Sequence, residues 1–302
     1  MRSTRPPPAR FLPDGTPLHN RLLAALPAAD YARVRPHLRM STPVTGRTLQ
    51  EPGALVTDVY FPNGGVFSVT NEMRDGQLVE VATVGSEGML GIGVFLGDRS
   101  GSGRTFLQVP DGSLPSMTVK RFVQESGSAG RFRDVVGLYA QANLLQIMQV
   151  TACNALHNVT QRCCRWLLQT QDRIGSDEFQ LKQEFLAMML GVRRPTVTVV
   201  VGTLQRSGII STKYGRIRVL KRKRLEAASC ECYEVIRKHF ERLGLGVEPA
   251  QPPRHRQPVD RRTDAVRKDH SWIPSDVTQS PPQLKPASDR SKRRSGPAIP
   301  SG

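Results

Sequence analysis

Six β-branched residues in a row, 196–201, stand directly behind Pro195 in the stretch "GVRRPTVTVVVGTLQRSGII". Valine and threonine lose rotamer freedom in a helix and fit a pleated surface, so propensity alone reads this run as a strand. A strand would alternate Val197, Val199 and Val201 against Thr196, Thr198 and Val200. A helix would gather Val197, Val200, Val201 and Leu204 at i, i+3, i+4 and i+7 on one apolar face. Both periods fit, and the flanking residues have to decide.

Upstream, "LKQEFLAMMLG" puts Leu186, Met189 and Leu190 on one helical face, with small Ala187 where a second helix can come close. Gly191 can supply the left-handed backbone that ends a helix in a tight turn. Pro195 then falls in the first turn of the next helix, where a missing N–H costs nothing and a fixed φ helps. Counted from Gln183 as position 1, Ala187, Gly191, Val192, Val197 and Val200 occupy positions 5, 9, 10, 15 and 18. That is helix-turn-helix spacing, and it predicts a second helix over about 194–206. Lys182 stands where the first helix usually has a Ser or Thr cap, a loss of about 1 kcal/mol that packing can absorb.

Downstream, "GIISTKYGRIRVLKRK" offers strands over 209–212 and 217–220 around a Lys213-Tyr214-Gly215-Arg216 turn, a wing with a basic tip. Residues 181–224 hold 11 Lys or Arg against the single acid Glu184, a net +10 within a chain of +17. Such a concentration favours a polyanionic partner, because neutralised phosphates release counterions. Arg193, Lys213, Arg216 and Arg218 are the expected phosphate contacts. The helix surface opposite the valines shows Pro195, Thr198, Val199, Gly202 and Arg206, with Arg194 at its edge, and Thr196 joins the expected DNA-binding residues. Of these, Arg194 alone is suited to a bidentate contact with guanine, while Thr198 and Val199 suit a thymine methyl.

The rest of the chain divides by pattern. Residues 1–17 contain five prolines and read as a disordered lead, and 247–302 hold ten prolines with 11 basic and 6 acidic residues, a disordered Pro-rich basic tail. Residues 18–130 begin with short helices, "NRLLAALPAADYARVRPHL". They continue as brief runs such as "GVFSVTNEM", "QLVEVATV" and "RTFLQV", broken by Gly and Asp-Gly turns. This is an antiparallel β roll and not a Rossmann unit. Over 131–156 Val135, Leu138, Ala142, Leu145, Gln149 and Ala152 step by 3 and 4, a heptad stripe that predicts a dimerisation helix. Residues 157–246 complete a DNA-binding domain. The fold class expected is α+β: a double-stranded β-helix or jelly-roll-like β roll, a long dimerisation helix and a C-terminal winged helix-turn-helix.

Five cysteines, Cys153, Cys163, Cys164, Cys230 and Cys232, exclude a complete intramolecular disulfide framework by their odd number. "QRCCRW" and "CEC" have no second nearby pair at zinc spacing, so no metal is expected and the thiols read as incidental. No P-loop, Gly-x-Ser-x-Gly elbow or His-Glu-x-x-His motif is present, so an enzyme is not expected. No apolar run is long enough to span a bilayer and no secretion signal opens the chain, so the expectation is a cytoplasmic protein without a membrane partner.

A β roll, a long helix and "FLAMMLGVRRPTVTVVVGTLQRSGIISTKYGRIRVL" together resemble the Crp/Fnr family of bacterial transcription regulators, over about residues 20–233. The resemblance implies a homodimer that binds double-stranded DNA at a near-palindromic operator and contacts RNA polymerase, with two recognition helices in successive major grooves. It also implies an effector site in the β roll, where "VGSEGMLGIGVFLGDRSGSGRTFLQV" offers Glu87, Gly88, Gly91, Arg104 and Thr105. With Gly91 aligned to the glycine of the family's phosphate cassette, Ile92 stands where a glutamate is needed. Cyclic nucleotide is therefore disfavoured as a ligand. No cysteine precedes Cys153, so the N-terminal iron–sulfur cluster of the oxygen-sensing relatives is disfavoured too. The family's Arg-Glu-x-x-x-Arg reading set is reduced to Arg194, with Pro195 and Val199 in the other slots, which implies a different operator and modest base discrimination. The competing reading is a cyclic-nucleotide signalling module that works mainly through its β domain.

Overall fold

Short strands and Gly-rich turns in the first half become two small antiparallel sheets in a computed structural model that describes residues 9–74 and 76–246. β1 (Thr48–Gln50), β3 (Val66–Glu72), β4 (Leu78–Val84) and β5 (Arg104–Val109) form one sheet in the order β1-β5-β3-β4. β2 (Asp58–Tyr60) and β6 (Ser116–Thr118) form the other. The β3–β4 hairpin pairs from Phe67↔Val84 to Glu72↔Leu78, with a shift after Val69 where Val81 of β4 is left without a partner. Ser68 and Thr70, two apart on β3, are both buried.

Helices close the roll. Pro27 separates α1 (Arg21–Ala24) from α2 (Ala28–Val34), and Asn20 caps α1 by accepting from the Leu23 N–H. α3 (Val119–Gly127) leads into α4 (Phe132–Leu156), the longest helix described. Leu22, Leu23, Phe61, Phe122, Phe132, Val136 and Tyr139 meet in one core. Leu12, fully buried, belongs to the same core, so ordered chain begins before the boundary at residue 17 that its prolines suggest. The reason is local: Tyr31 and Arg35 donate to the Phe11 carbonyl at 2.9 Å each and fasten the turn. The Pro-rich tail over 247–302 lies outside the described residues.

The second half is helical around a three-stranded sheet. α5 (Val159–Ile174) starts two residues beyond the C-cap of α4 with a capping box, Asn158 accepting from Gln161 N while Gln161 Oε1 accepts from Asn158 N. β7 (Glu178–Gln180), α6 (Gln183–Leu190), α7 (Arg194–Arg206), β8 (Ile210–Lys213) and β9 (Arg216–Val219) follow, then α8 (Arg222–Ala228) and α9 (Cys232–Arg242). The strand order is β7-β9-β8.

The two halves share cores. Val66, Phe106 and Val109 of the roll pack in one cluster with Trp166, Leu186, Met189 and Val201 of the helical half. In return α9 places Ile236 and Phe240 in the core of the roll, alongside α4. α5 is the hinge of this arrangement, and 11 of its 16 residues are buried, among them Arg165, Asp172 and Arg173. No single helix among the described residues is long and apolar enough to cross a membrane.

Candidate nucleic-acid interface

The run 196–201 is helical: α7 buries Val197, Val200, Val201 and Leu204 and leaves Val199 67% exposed. Tertiary burial of one stripe outweighs the modest helix propensity of valine and threonine. Gly191, at φ 61°, ends α6; its N–H returns to the Met188 carbonyl at 3.2 Å and that of Val192 to Ala187 at 3.0 Å. This Schellman turn needs the left-handed conformation that glycine adopts freely. α7 then leaves at 106° to α6, with Pro195 in its first turn. Buried Ala187 lets the two helices approach, as its position in the spacing required.

Solvent faces one side of α7. Arg193, Arg194, Pro195, Thr196, Thr198, Val199 and Arg206 are all exposed, and no acidic side chain stands among them on the helix. Two residues of α6 outside the expected DNA-binding set brace this face. Glu184 holds Arg194 Nε at 3.2 Å, and Gln183 Oε1 accepts from Thr198 Oγ1 at 2.9 Å. Arg206 in turn donates to Thr203 Oγ1 at 3.1 Å, which adds Thr203 to the exposed polar surface.

The wing forms as a two-residue hairpin, Tyr214 and Gly215 at φ 50° and 73° between Lys213 and Arg216. Tyr214 is 91% exposed at the tip, with the Lys213 ammonium 5.4 Å from its ring centre. Arg216 and Arg218 are exposed but not free of acid: Glu178 accepts from both, from Arg216 at 3.5 Å. The hydrogen bond from Arg218 holds the Glu178 carboxyl below its ordinary range. Glu178 lies on β7, which pairs with β9; three residues in "SDEFQ" are too short a run to signal a strand.

The effector residues named from the sequence do not share one set of partners. Glu87 is buried against the helical half and accepts from Arg173 Nη2 at 2.7 Å and Nε at 2.9 Å, and from the Gly85 N–H at 3.0 Å. Gly88 lies under the Tyr139 ring, where a Cβ would fall 2.1 Å from Cε2. Gly91 and Thr105 both meet Gln50, while Arg104 pairs with Glu51 at 3.0 Å and Glu72 at 3.1 Å. The cavity beside Glu87, lined also by Gln146, Asp172 and Phe240, is about 50 Å³, against roughly 300–1,000 Å³ for a typical small-molecule site.

The predicted heptad stripe on α4 is divided. Val135 and Ala142 are buried in the chain's own core and Gln149 donates to Cys232 Sγ, whereas Leu138 and Ala152 are exposed and Leu145 is partly so. The most exposed apolar side chains of the helix body are Leu144 at 58% and Met148 at 60%, on a neighbouring strip. The cysteines also depart from expectation. Cys153, Cys230 and Cys232 pack together with His157, although 77 residues separate the first two. Spacing along the chain reveals only local pairs, and the fold supplies this pairing from two distant segments.

Comparison with known proteins agrees with this geometry. Residues 161–228 match the family model of the Crp-like helix-turn-helix domain. Among solved structures, the chain resembles the transcriptional regulator TTHB099 of the CRP family from Thermus thermophilus. The TM-score is 0.54 at 17% identity, over 63% of this chain and 96% of that one. The c-di-GMP responsive global regulator CLP from Xanthomonas campestris gives 0.52 at 19%, over 64% and 99%. FixK2 from Bradyrhizobium japonicum gives 0.54 at 14%, over 64% and 98%. A search of the curated proteins gave no match. The chain thus carries, on the fold of the Crp/Fnr family regulators, a Crp-like helix-turn-helix DNA-binding domain.

Proposed function

We propose that the protein is a dimeric, sequence-specific transcription regulator that reads double-stranded DNA with α7 in the major groove and steadies it with the basic wing. The observation that carries this reading is the exposed face of α7, with Arg194, Thr198 and Val199 turned away from the valine core and free of carboxylates on the helix itself. Arg194 is the guanine reader, Thr198 and Val199 meet a thymine methyl, and Arg193, Lys213, Arg216 and Arg218 take phosphates. Dimerisation along α4 places two such helices on a near-palindromic operator and leaves the roll to sense an effector or contact RNA polymerase.

Binding-site selection with the purified full chain tests this directly. The expected result is a two-fold related consensus, bound in a salt-dependent way and lost or relaxed at one base pair per half-site in Arg194→Ala. Unchanged specific affinity in that variant defeats the assignment of α7.

A further inference from the structure

Four soft donors converge where α4 ends and α9 begins. Cys153 Sγ, Cys230 Sγ, Cys232 Sγ and a ring nitrogen of His157 all lie within 4.8 Å of one another. Cys153 Sγ and Cys230 Sγ are 3.5 Å apart, and His157 Nδ1 is 3.5 Å from Cys232 Sγ. A tetrahedral ion with metal–sulfur bonds of about 2.3 Å sets its ligand atoms about 3.8 Å from one another. The four donors therefore already stand close to the corners of one coordination sphere.

We propose that Cys153, His157, Cys230 and Cys232 hold a single zinc(II) ion, a Cys3His site. The surrounding side chains suit that role. His157 is the C-cap of α4, where the backbone leaves the helix at φ −103° and ψ 145° and its N–H returns to the Cys153 carbonyl at 3.0 Å. That turn brings Nδ1 toward the thiols, while Nε2 lies 3.2 Å from a Glu231 carboxylate oxygen. A carboxylate on the far nitrogen fixes the tautomer that leaves the Nδ1 lone pair for the metal. Gln149 Nε2 donates to Cys232 Sγ at 3.1 Å, a hydrogen bond that a thiolate accepts better than a thiol. Binding releases the three thiol protons to solvent and leaves the site with one net negative charge. The buried Arg165 guanidinium, within electrostatic reach of Cys153 and with Nε lacking a hydrogen-bond partner, offsets that charge.

A mononuclear ion fits better than an iron–sulfur cluster, which spreads its ligands over separate irons and pushes the sulfurs farther apart. Cys-x3-His closes the last turn of α4, and Cys-x-Cys opens α9. The ion therefore rivets the two helices together at the point where the chain passes from the roll into the DNA-binding half.

Elemental analysis of the full chain, purified without chelator from zinc-supplemented cells, is expected to find about one zinc per chain. Chelated protein titrated with cobalt(II) should show the intense ligand-field and thiolate charge-transfer bands of a tetrahedral sulfur-rich site. Cys232→Ser should lose the zinc, Glu231→Gln should weaken its retention about 10- to 100-fold, and His157→Cys should keep it with an altered cobalt spectrum. Cys163→Ser, in a thiol outside the group, should keep a full equivalent. Three results overturn the proposal: no zinc or tetrahedral cobalt bound by the native chain, a Cys153–Cys230 disulfide in its place, or iron and sulfide instead of zinc.

Discussion

Arg173 of α5 reaches into the β roll and donates through Nη2 to Glu87 at 2.7 Å, while its Nη1 donates to Thr83 Oγ1 at 2.7 Å. Both partners of the ion pair are buried. Arg173→Ala therefore leaves a carboxylate stranded away from water, and urea unfolding should show a loss of about 3–5 kcal/mol. Combining Arg173→Met with Glu87→Gln should recover most of it. A loss in the double variant equal to the sum of the two single losses would mean that the pair does not act as a unit.

Glu80 ties stability to pH. Burial pushes its carboxyl up to about 7, against the opposing pull of its hydrogen bond to Ser68 and the nearby Arg165 and Arg173. Ser68 Oγ lies 2.7 Å from Glu80 Oε2 and 2.6 Å from Gln108 Oε1. A protonated Glu80 suits this chain, since its O–H donates to Ser68 and leaves the Ser68 proton for Gln108. Trp166 Nε1 donates to the other oxygen, Oε1, at 3.1 Å. The folded state then holds a proton that the unfolded state has released, so this group's contribution is full below about 4.5 and falls as pH rises toward 7. Comparing wild type with Glu80→Gln isolates it: the variant should gain relative stability from pH 5 to 8, by roughly 3 kcal/mol at most. Parallel pH profiles for the two proteins would contradict the raised carboxyl.

Glu178 pairs with both wing arginines, Arg216 and Arg218, so in the proposed DNA complex it would compete with phosphate for them. Glu178→Gln should tighten binding to any duplex and steepen its salt dependence, by up to about 0.9 in log–log slope for each phosphate newly engaged. Arg216→Ala should do the reverse. Fluorescence anisotropy over a salt series reads both, and an unchanged slope in Glu178→Gln would place the wing away from the backbone.

The exposed strip of α4 gives a separate test. If a second copy of the chain covers it, Leu144→Glu with Met148→Glu should convert the dimer to monomer in sedimentation and cut operator affinity. Val135 and Ala142, though part of the heptad pattern, should when enlarged or truncated destabilise the monomer instead, since each packs against its own chain.

These cases show what the sequence carried and what it did not. The turn at Gly191 and the spacing of Ala187, Val197 and Val200 are local steric demands, so a one-dimensional pattern holds them in full. The apolar period of α4 is equally visible, but a period does not say which side faces the chain's own roll, and Tyr139 and Gln146 take that side. Glu87 reads as an effector-site residue because its partner lies 86 residues away. Cys153 and Cys230 read as unrelated for the same reason: ligand pairing set by tertiary packing leaves no spacing to count.

α5 packs Trp166 and Leu167 in one cluster with Val66, Phe106 and Val109 of the roll, and this limits how the protein could be recombined. A chimera joined near residue 157 would carry Trp166 and Arg173 to a new roll that lacks Glu80, Ser68 and Glu87, and would leave Gln146 behind without its arginine. Function in this chain is therefore not a cassette that can be exchanged at the helix break. A workable graft would have to move these contacts together, so the unit of inheritance for the helix-turn-helix domain extends well into the β roll.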